Sequence, residues 1–400
     1  MAIAKTRSKR AIKPDAGLVS IKEETDKLLP GQISESNLEE LRTPLVKRLL
    51  AQQMAVTKVK PYSGRIPGYF SSGAYLLNLL LSRGLGFPWT KIIHLTGFEG
   101  SGKTFLCLAA AKQVLDAGGT VFWYNQEDGW AWDFASLIGI REDDPNFVLF
   151  PPMLAEKCFD GISLMLKNLA GDPSKVLFVI DSLGGSLTID RNDTEVEKGR
   201  KMGDIQKLAK DFCAKTVPYI PMTMASIMVT NHVYIDINAF TPNPSIPKPV
   251  RPTGGKAVPY RAFIELLLTA QPIVKSSTGK VLHGGVRIKV TKNKGGIKDL
   301  RIDIPIFFRQ TKNRYFGVDD GMTSIQFLVS EGVWKVAERQ KRKVILTNYE
   351  PVSEAGEVGE AVYGTAPELR DRMLSDLEKP FFKFTQKQVE AAFLKKFGLD

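Results

Sequence analysis

Cysteine is nearly missing from this 400-residue chain, whose only thiols are Cys107, Cys158 and Cys213. They lie too far apart for zinc-site spacing and are too sparse for a disulfide scaffold, so they read as small buried hydrophobes in a reducing compartment. Long apolar runs are missing as well. None approaches the roughly 18 residues that a membrane-spanning helix needs, and the basic stretch "MAIAKTRSKRAIKPDAG" is followed by no apolar signal-peptide core. The expected location is cytoplasmic with no membrane partner, a basic mitochondrial presequence staying open as the alternative. Acidic residues number 43 against 55 basic ones, a formal charge of +12. Such an excess fits a polyanionic partner, nucleic acid foremost, and also fits a protein that merely stays soluble. Apolar residues are plentiful at 43%, enough for a sizeable core, and the length suggests two or three folding units.

Residues 1–64 are charged and hold one amphipathic helical pattern, "SESNLEELRTPLVKRLLAQQMAV". From 65 to 310 strand and helix patterns alternate: "KIIHLTG", "KTFLCLAAAKQVLDAGG", "TVFWYNQED", a helix near 130–139, "FVLFP", a helix near 155–170, "KVLFVIDSLGG", a helix near 197–214, and "SIMVTNH". This order predicts an α/β fold with a mainly parallel sheet covered on both faces, ligands lying at the carboxyl ends of the strands. The runs "RAFIELLLTAQ", "GGVRIKVTKNKGG" and "KDLRIDIPIFFR" read as further strands that extend the sheet through turns. Residues 311–400 read as a small C-terminal region, with "NYEPVSEAGEVGEAVYG" as a flexible linker and a final helical stretch "FTQKQVEAAFLKKFG". One segment stands apart. "MVTNHVYIDINAFTPNPSIPKPVRPTGGKAVPYRAF", residues 228–263, starts as a buried strand, then runs through five prolines to a Gly-Gly pair. A loop of that length is expected to be functional or disordered.

The strongest motif is "GFEGSGKT", comprising Gly97, Phe98, Glu99, Gly100, Ser101, Gly102, Lys103 and Thr104. It matches G-x-x-x-x-G-K-[ST] between a strand and a helix, where backbone N–H groups and the helix N-terminus cradle a phosphate. Lys103 would reach the β- and γ-phosphates of ATP, and the Thr104 hydroxyl would bind Mg²⁺. Asp181 closes the apolar run "VLFVID", so it emerges beside that loop, where an acid holds Mg²⁺ through water. Glu127, at the end of "VFWYNQED", can deprotonate an attacking water, or can belong to a solvated turn with Asp128 as a helix cap. Spacing alone does not choose between these. Trp132 or Phe134 can offer a stacking face to adenine.

The order of "GYFSSGAYLLNLLLSRGLGFP", "GFEGSGKT", "FWYNQED", "VIDSLGG", "VTNH", "PTGGKAVPYRA" and "TKNKGG" resembles RecA-type recombinases over residues 65 to 310. The "DSLGG" run and the Asn231-His232 pair resemble the phage UvsX-type branch more closely. The resemblance implies a RecA-like P-loop ATPase core, ATP and Mg²⁺ as cofactors, and a helical filament on single-stranded DNA. It further implies pairing with double-stranded DNA, DNA-stimulated hydrolysis, and loading helped by mediator and single-strand-binding proteins in a bacterial or phage-infected cell. Glu127 matches the family's catalytic glutamate. Lys292 and Lys294 match lysines that reach the ATP of a neighbouring subunit, although on their own they read as a solvated hairpin tip. Asn231 and His232 match the γ-phosphate-facing pair. His232 stands where bacterial RecA has glutamine, which would give the switch a pH dependence near neutrality.

Two stretches are expected to face DNA: "SLTIDRNDTEVEKGRKMGD", with Arg191, Lys198, Arg200 and Lys201, and the proline-rich segment, with Lys248, Arg251, Thr253, Gly254, Gly255 and Lys256. Cations in such loops bind phosphates without reading sequence, as a strand-exchange protein requires, and each alone reads equally as a solvated face. A hexameric RecA-fold helicase or KaiC-like ATPase shares the same core, and a non-catalytic ATP- and DNA-binding scaffold is a third reading.

Overall fold

A computed structural model describes residues 43–57, 64–186, 188, 204–239, 243, 248–253, 255–275, 281–307, 317–318, 320–339, 342–347, 362–364, 368–369 and 380–397. The chain divides into two compact units, Met1–Arg65 and Ile66–Asp400. In the first, helix α1 spans Pro44–Thr57, with proline at the first helical position, where a missing N–H costs nothing. The Ser34–Arg42 part of the expected helix lies outside the described residues.

The second unit opens with β1 (Tyr69–Phe70), α2 (Tyr75–Ser82) and β2 (Phe87–Pro88), the two short strands pairing antiparallel. There follow β3 (Ile92–Gly97), α3 (Lys103–Asp116), β4 (Thr120–Asn125), α4 (Trp132–Ile138), β5 (Phe147–Phe150), α5 (Ala155–Asn168), β6 (Lys175–Asp181), α6 (Asp204–Thr216) and β7 (Met224–Ile235). Next come β8 (Val250–Pro252), α7 (Ala257–Arg261), β9 (Ile264–Lys275), β10 (Val281–Asn293), β11 (Arg301–Phe307) and β12 (Gly317–Val318). The ten-stranded sheet runs β12-β11-β10-β9-β3-β7-β6-β4-β5, with β8 on the end of β7. From β9 to β5 neighbours are parallel; from β9 to β12 they are antiparallel.

The parallel strands are buried on both faces, which is why their sequences are continuous apolar runs instead of alternating ones. Alternation still sorts the side chains: Leu177 and Val179 join one core with α3, while Val176, Phe178 and Ile180 join the other with Phe159 and Phe212. Further along are α8 (Asp320–Ser330), β13 (Lys335–Arg339), β14 (Arg342–Leu346), β15 (Tyr363–Gly364) and α9 (Pro380–Phe397). Ile325, Leu328, Val389 and Phe393 belong to the same apolar cluster as Leu76 and Ile288. The buried Trp334 donates its indole N–H to Gln388 Oε1 of α9 at 2.7 Å.

Two expectations need correction. Tyr363 and Gly364, at the end of the stretch expected as a flexible linker, form β15 and pair with Leu346 and Ile345, while residues 348–361 lie outside the described residues. The long central loop is also more regular than its prolines suggest. Val233, Tyr234 and Ile235 pair antiparallel with Pro252, Arg251 and Val250, so both flanks of the segment form a β-hairpin. Proline is tolerated there because β8 lies on a sheet edge, where a missing N–H breaks no inner ladder.

Candidate functional site

The loop Phe98–Gly102 joins the carboxyl end of the central strand β3 to the first residue of α3. A Cβ at Gly97 would collide with the Ser101 hydroxyl and the Leu268 carbonyl, so only glycine allows the loop to fold back this tightly. Gly100 takes φ +68° with nothing near the position of a Cβ, leaving its backbone open to approach. Lys103 is nearly buried, its ammonium donating to the carbonyls of Gly97 at 3.2 Å and Phe98 at 2.9 Å. Burial pulls its pKa down, opposed by the carboxylates of Glu127 and Asp181.

Those two acids come from neighbouring strands, since β4 and β6 pair in register at Asn125 and Asp181. Asp181 is buried and accepts from Thr104 Oγ1 at 2.8 Å and Thr230 Oγ1 at 2.6 Å. Burial raises its pKa, and these two hydroxyls counter the shift. The Asp181–Ser182 peptide is cis. Glu127 is partly exposed, and its Oε1 meets the Ser182 hydroxyl and, at 2.6 Å, His232 Nε2. The P-loop, Asp181, Glu127 and His232 are therefore brought together at one edge of the sheet. Thr230 and Ser182 were missed. Period-two alternation along "VTNH" puts Thr230 on the face of His232, and Ser182 follows Asp181 directly, so both signals were present.

Asn231 faces the other way and is fully buried. Its Oδ1 accepts from Thr253 Oγ1 at 2.8 Å, and its Nδ2 has no partner among the described residues. Thr253 also donates its backbone N–H to His232 O at 2.9 Å. The two ends of the hairpin, expected to have different roles, thus meet through Thr253 and the Asn231-His232 pair. On the hairpin, Arg251 pairs with Asp236 at 2.5 Å and Lys248 donates to the Ile237 carbonyl, while Tyr234 and Ile235 are exposed. Gly255 takes φ +79° and Lys256 caps α7. Arg191, Lys198, Arg200, Lys201 and Gly254 lie outside the described residues.

Lys292 and Lys294 are not brought to this site. Lys292 pairs with Glu265, Glu265 with His94, and the P-loop begins three residues beyond His94, about 10 Å along the strand. Both lysines therefore lie toward the amino end of β3, away from the chain's own P-loop. Trp132 packs its ring edge-on against Trp130 at 5.1 Å and Phe147 at 5.8 Å, and Phe134 packs against the same core.

A nucleotide with Mg²⁺ fits this donor set. Ser101 Oγ and Asn231 Nδ2 are buried without partners among the described residues, and Thr104 with Asp181 supplies hard oxygens beside the glycine cradle. Mg²⁺ is held by one or two carboxylates together with phosphates and water, and does not need a protein-only cage. Among the described residues no group of three or more His, Cys, Asp or Glu could form one. Fold and site together define a P-loop nucleotide-binding domain with a RecA fold.

The family comparisons agree. Residues 55–311 match the RecA N-terminal domain, and the chain belongs to that family. It is 28% identical over 252 residues to Protein RecA of Ureaplasma parvum serovar 3, covering 62% of this chain and 69% of that one. It is 26% identical over 270 residues to Protein RecA of Borrelia turicatae, 66% of this chain and 69% of that one. It is 25% identical over 289 residues to the chloroplastic DNA repair protein recA homolog 1 of Arabidopsis thaliana, 72% of this chain and 62% of that one. No helix among the described residues is long and apolar enough to cross a membrane.

Proposed function

We propose that this chain is an ATP-dependent DNA recombinase that polymerises on single-stranded DNA and promotes homologous pairing and strand exchange, with DNA-stimulated hydrolysis of ATP. The observation that carries this reading is the contact of Glu127 with His232. It joins the candidate base for water attack to the root of a cationic hairpin, so DNA and nucleotide have a shared mechanical part.

Bound Mg²⁺–ATP supplies the reactive phosphoanhydride and the cation that offsets its charge. Thr104 and Asp181 would hold the metal, and Lys103 would leave its loop carbonyls for the phosphates. Glu127, oriented by Ser182 and His232, would take the proton of the attacking water. Lys292 and Lys294, lying away from the chain's own phosphate loop, would serve a neighbouring copy, as charges aimed at the transferring group. Lys248, Arg251 and Lys256 would bind phosphates of DNA, with Tyr234 as an exposed stacking face. Arg191, Arg200 and Lys201 are assigned the same role from sequence, and the segment 1–64 the role of an arm for subunit contacts. Kinship with the phage UvsX-type branch rests on "DSLGG" and on Asn231-His232. The proposed setting is the cytoplasm, with mediator and single-strand-binding proteins as loading partners.

The test is electron microscopy of the full chain with single-stranded DNA and a slowly hydrolysed ATP analogue, followed by a strand-exchange assay. Helical filaments and exchanged strands are the expected result. Closed rings without exchange would favour the helicase, and neither structure would favour the scaffold.

A further inference from the structure

The two glycines of "DSLGG" occupy a narrow place. Beyond Asp181 the chain makes a compact turn, in which the Leu183 N–H donates to Thr230 O at 3.0 Å and the Ser186 N–H to Leu183 O at 3.3 Å. Leu183 is buried, so the turn is anchored to β7. It leads directly into "SLTIDRNDTEVEKGRKMGD", the first of the stretches expected to face DNA.

Neither Gly184 nor Gly185 takes a positive φ, so the backbone there admits any residue. Space is what demands glycine. A Cβ on Gly184 would lie 2.7 Å from Thr253 Oγ1 and 3.2 Å from Asn231 Oδ1, the two atoms whose hydrogen bond closes the root of the hairpin. A Cβ on Gly185 would lie 2.6 Å from Glu127 Cγ and 3.5 Å from the Gln126 carbonyl oxygen. Gly185 reaches the same carboxylate a second way. Its N–H donates to Ser182 Oγ at 3.3 Å, and that hydroxyl donates to Glu127 Oε1. The shortest of these approaches are closer than van der Waals contact permits, so a methyl group at either position displaces a neighbour. One glycine faces the hairpin; the next faces the candidate base.

We propose that Gly184 and Gly185 are positioning residues with separate duties: bare backbone at 184 lets the Thr253–Asn231 contact seat the hairpin, and bare backbone at 185 sets the carboxylate of Glu127. One turn thereby links the first DNA-facing stretch to both the second and the hydrolytic site. The duty of Gly185 rests on the proposed role of Glu127 as base; that of Gly184 stands on the hairpin contact itself.

The experiment compares the full-length wild type with Gly184→Ala, Gly185→Ala, Thr253→Ala, the Gly184→Ala/Thr253→Ala double variant and Glu127→Gln. Three things are measured: hydrogen exchange across the chain, binding of a fluorescent ATP analogue, and ATP hydrolysis during titration with single-stranded DNA. Gly184→Ala is expected to speed exchange at residues 231–235 and 250–253, and to raise the DNA concentration for half-maximal stimulation about tenfold while the maximal rate is kept. Thr253→Ala removes the hydroxyl in the way, so in that background Gly184→Ala adds nothing. Gly185→Ala is expected to keep analogue binding, half-saturation and hairpin exchange. Its maximal rate falls about a hundredfold, the scale of a misplacement of about 1 Å at a reacting group. Wild-type exchange in Gly184→Ala, faster exchange spread through the core sheet, or a penalty that adds in full to that of Thr253→Ala overturns the first duty. With Glu127→Gln inactive, a wild-type maximal rate in Gly185→Ala, or loss of its analogue binding, overturns the second. An active Glu127→Gln ends the base reading instead, and with it the second duty, and leaves the exchange results to judge the first.

Discussion

The two ends of the central strands differ in how completely they satisfy their charges. At the carboxyl end of β3, Lys103, Asp181 and Glu127 each have partners within the same chain. At the amino end, Lys91, Lys292 and Lys294 gather beside Glu265, which already faces His94 Nδ1 at 3.1 Å. Burial, then the nearby Lys294, lowers the pKa of both Lys91 and Lys292. One end is a phosphate cradle with acids around it; the other is a group of cations short of an anion. A head-to-tail stack of identical chains sets unlike surfaces against each other, and here the unlike surfaces are complementary in charge. That difference is the one the proposed division of the hydrolytic site between copies requires.

The comparison can be broken or sharpened by substitution. The largest effect is expected from Glu127→Gln, which keeps the shape but not the basicity of the carboxylate. Stimulated hydrolysis falls roughly 10²- to 10⁴-fold, while binding of a fluorescent ATP analogue persists. If hydrolysis survives, the base lies elsewhere. Next is Thr253→Val, which removes the hydrogen bond that the buried Asn231 amide makes among the described residues. A loss of about 1–3 kcal/mol of hairpin stability is expected, read as faster hydrogen exchange at residues 231–235 and 250–253, with the core sheet unaffected. The smallest effect concerns His232, whose Nε2 meets Glu127 Oε1 at 2.6 Å. His232→Gln, whose amide can still donate to that carboxylate, is expected to lower stimulated hydrolysis only a few-fold, and an unchanged rate removes the histidine from the switch.

The fold and the nucleotide site were legible for a shared reason. Parallel strands buried on both faces produce unbroken apolar runs, and a phosphate loop needs glycine where a Cβ would collide, as at Gly97. The hairpin was not legible, because its five prolines signal irregularity, while its pairing depends on β8 lying at an edge that only the assembled sheet defines. The lysine pair was visible as "TKNK", but its distance from the phosphate loop depends on the antiparallel register of β10 on β9. The hydrogen bonds from Lys292 Nζ to the Pro259 and Tyr260 carbonyls join residues more than thirty positions apart in sequence. No local pattern announces such a contact.

The divided site is tested most directly by mixing. Glu127→Gln and Lys294→Ala chains, each inactive alone in DNA-stimulated hydrolysis, are combined in equal amounts on single-stranded DNA before ATP is added. If base and lysine come from different copies, random head-to-tail assembly pairs an intact glutamate with an intact lysine at about one interface in four, and activity returns to that extent. If both act within one chain, every chain in the mixture is defective and hydrolysis stays at the level of the separate variants, which would contradict the account.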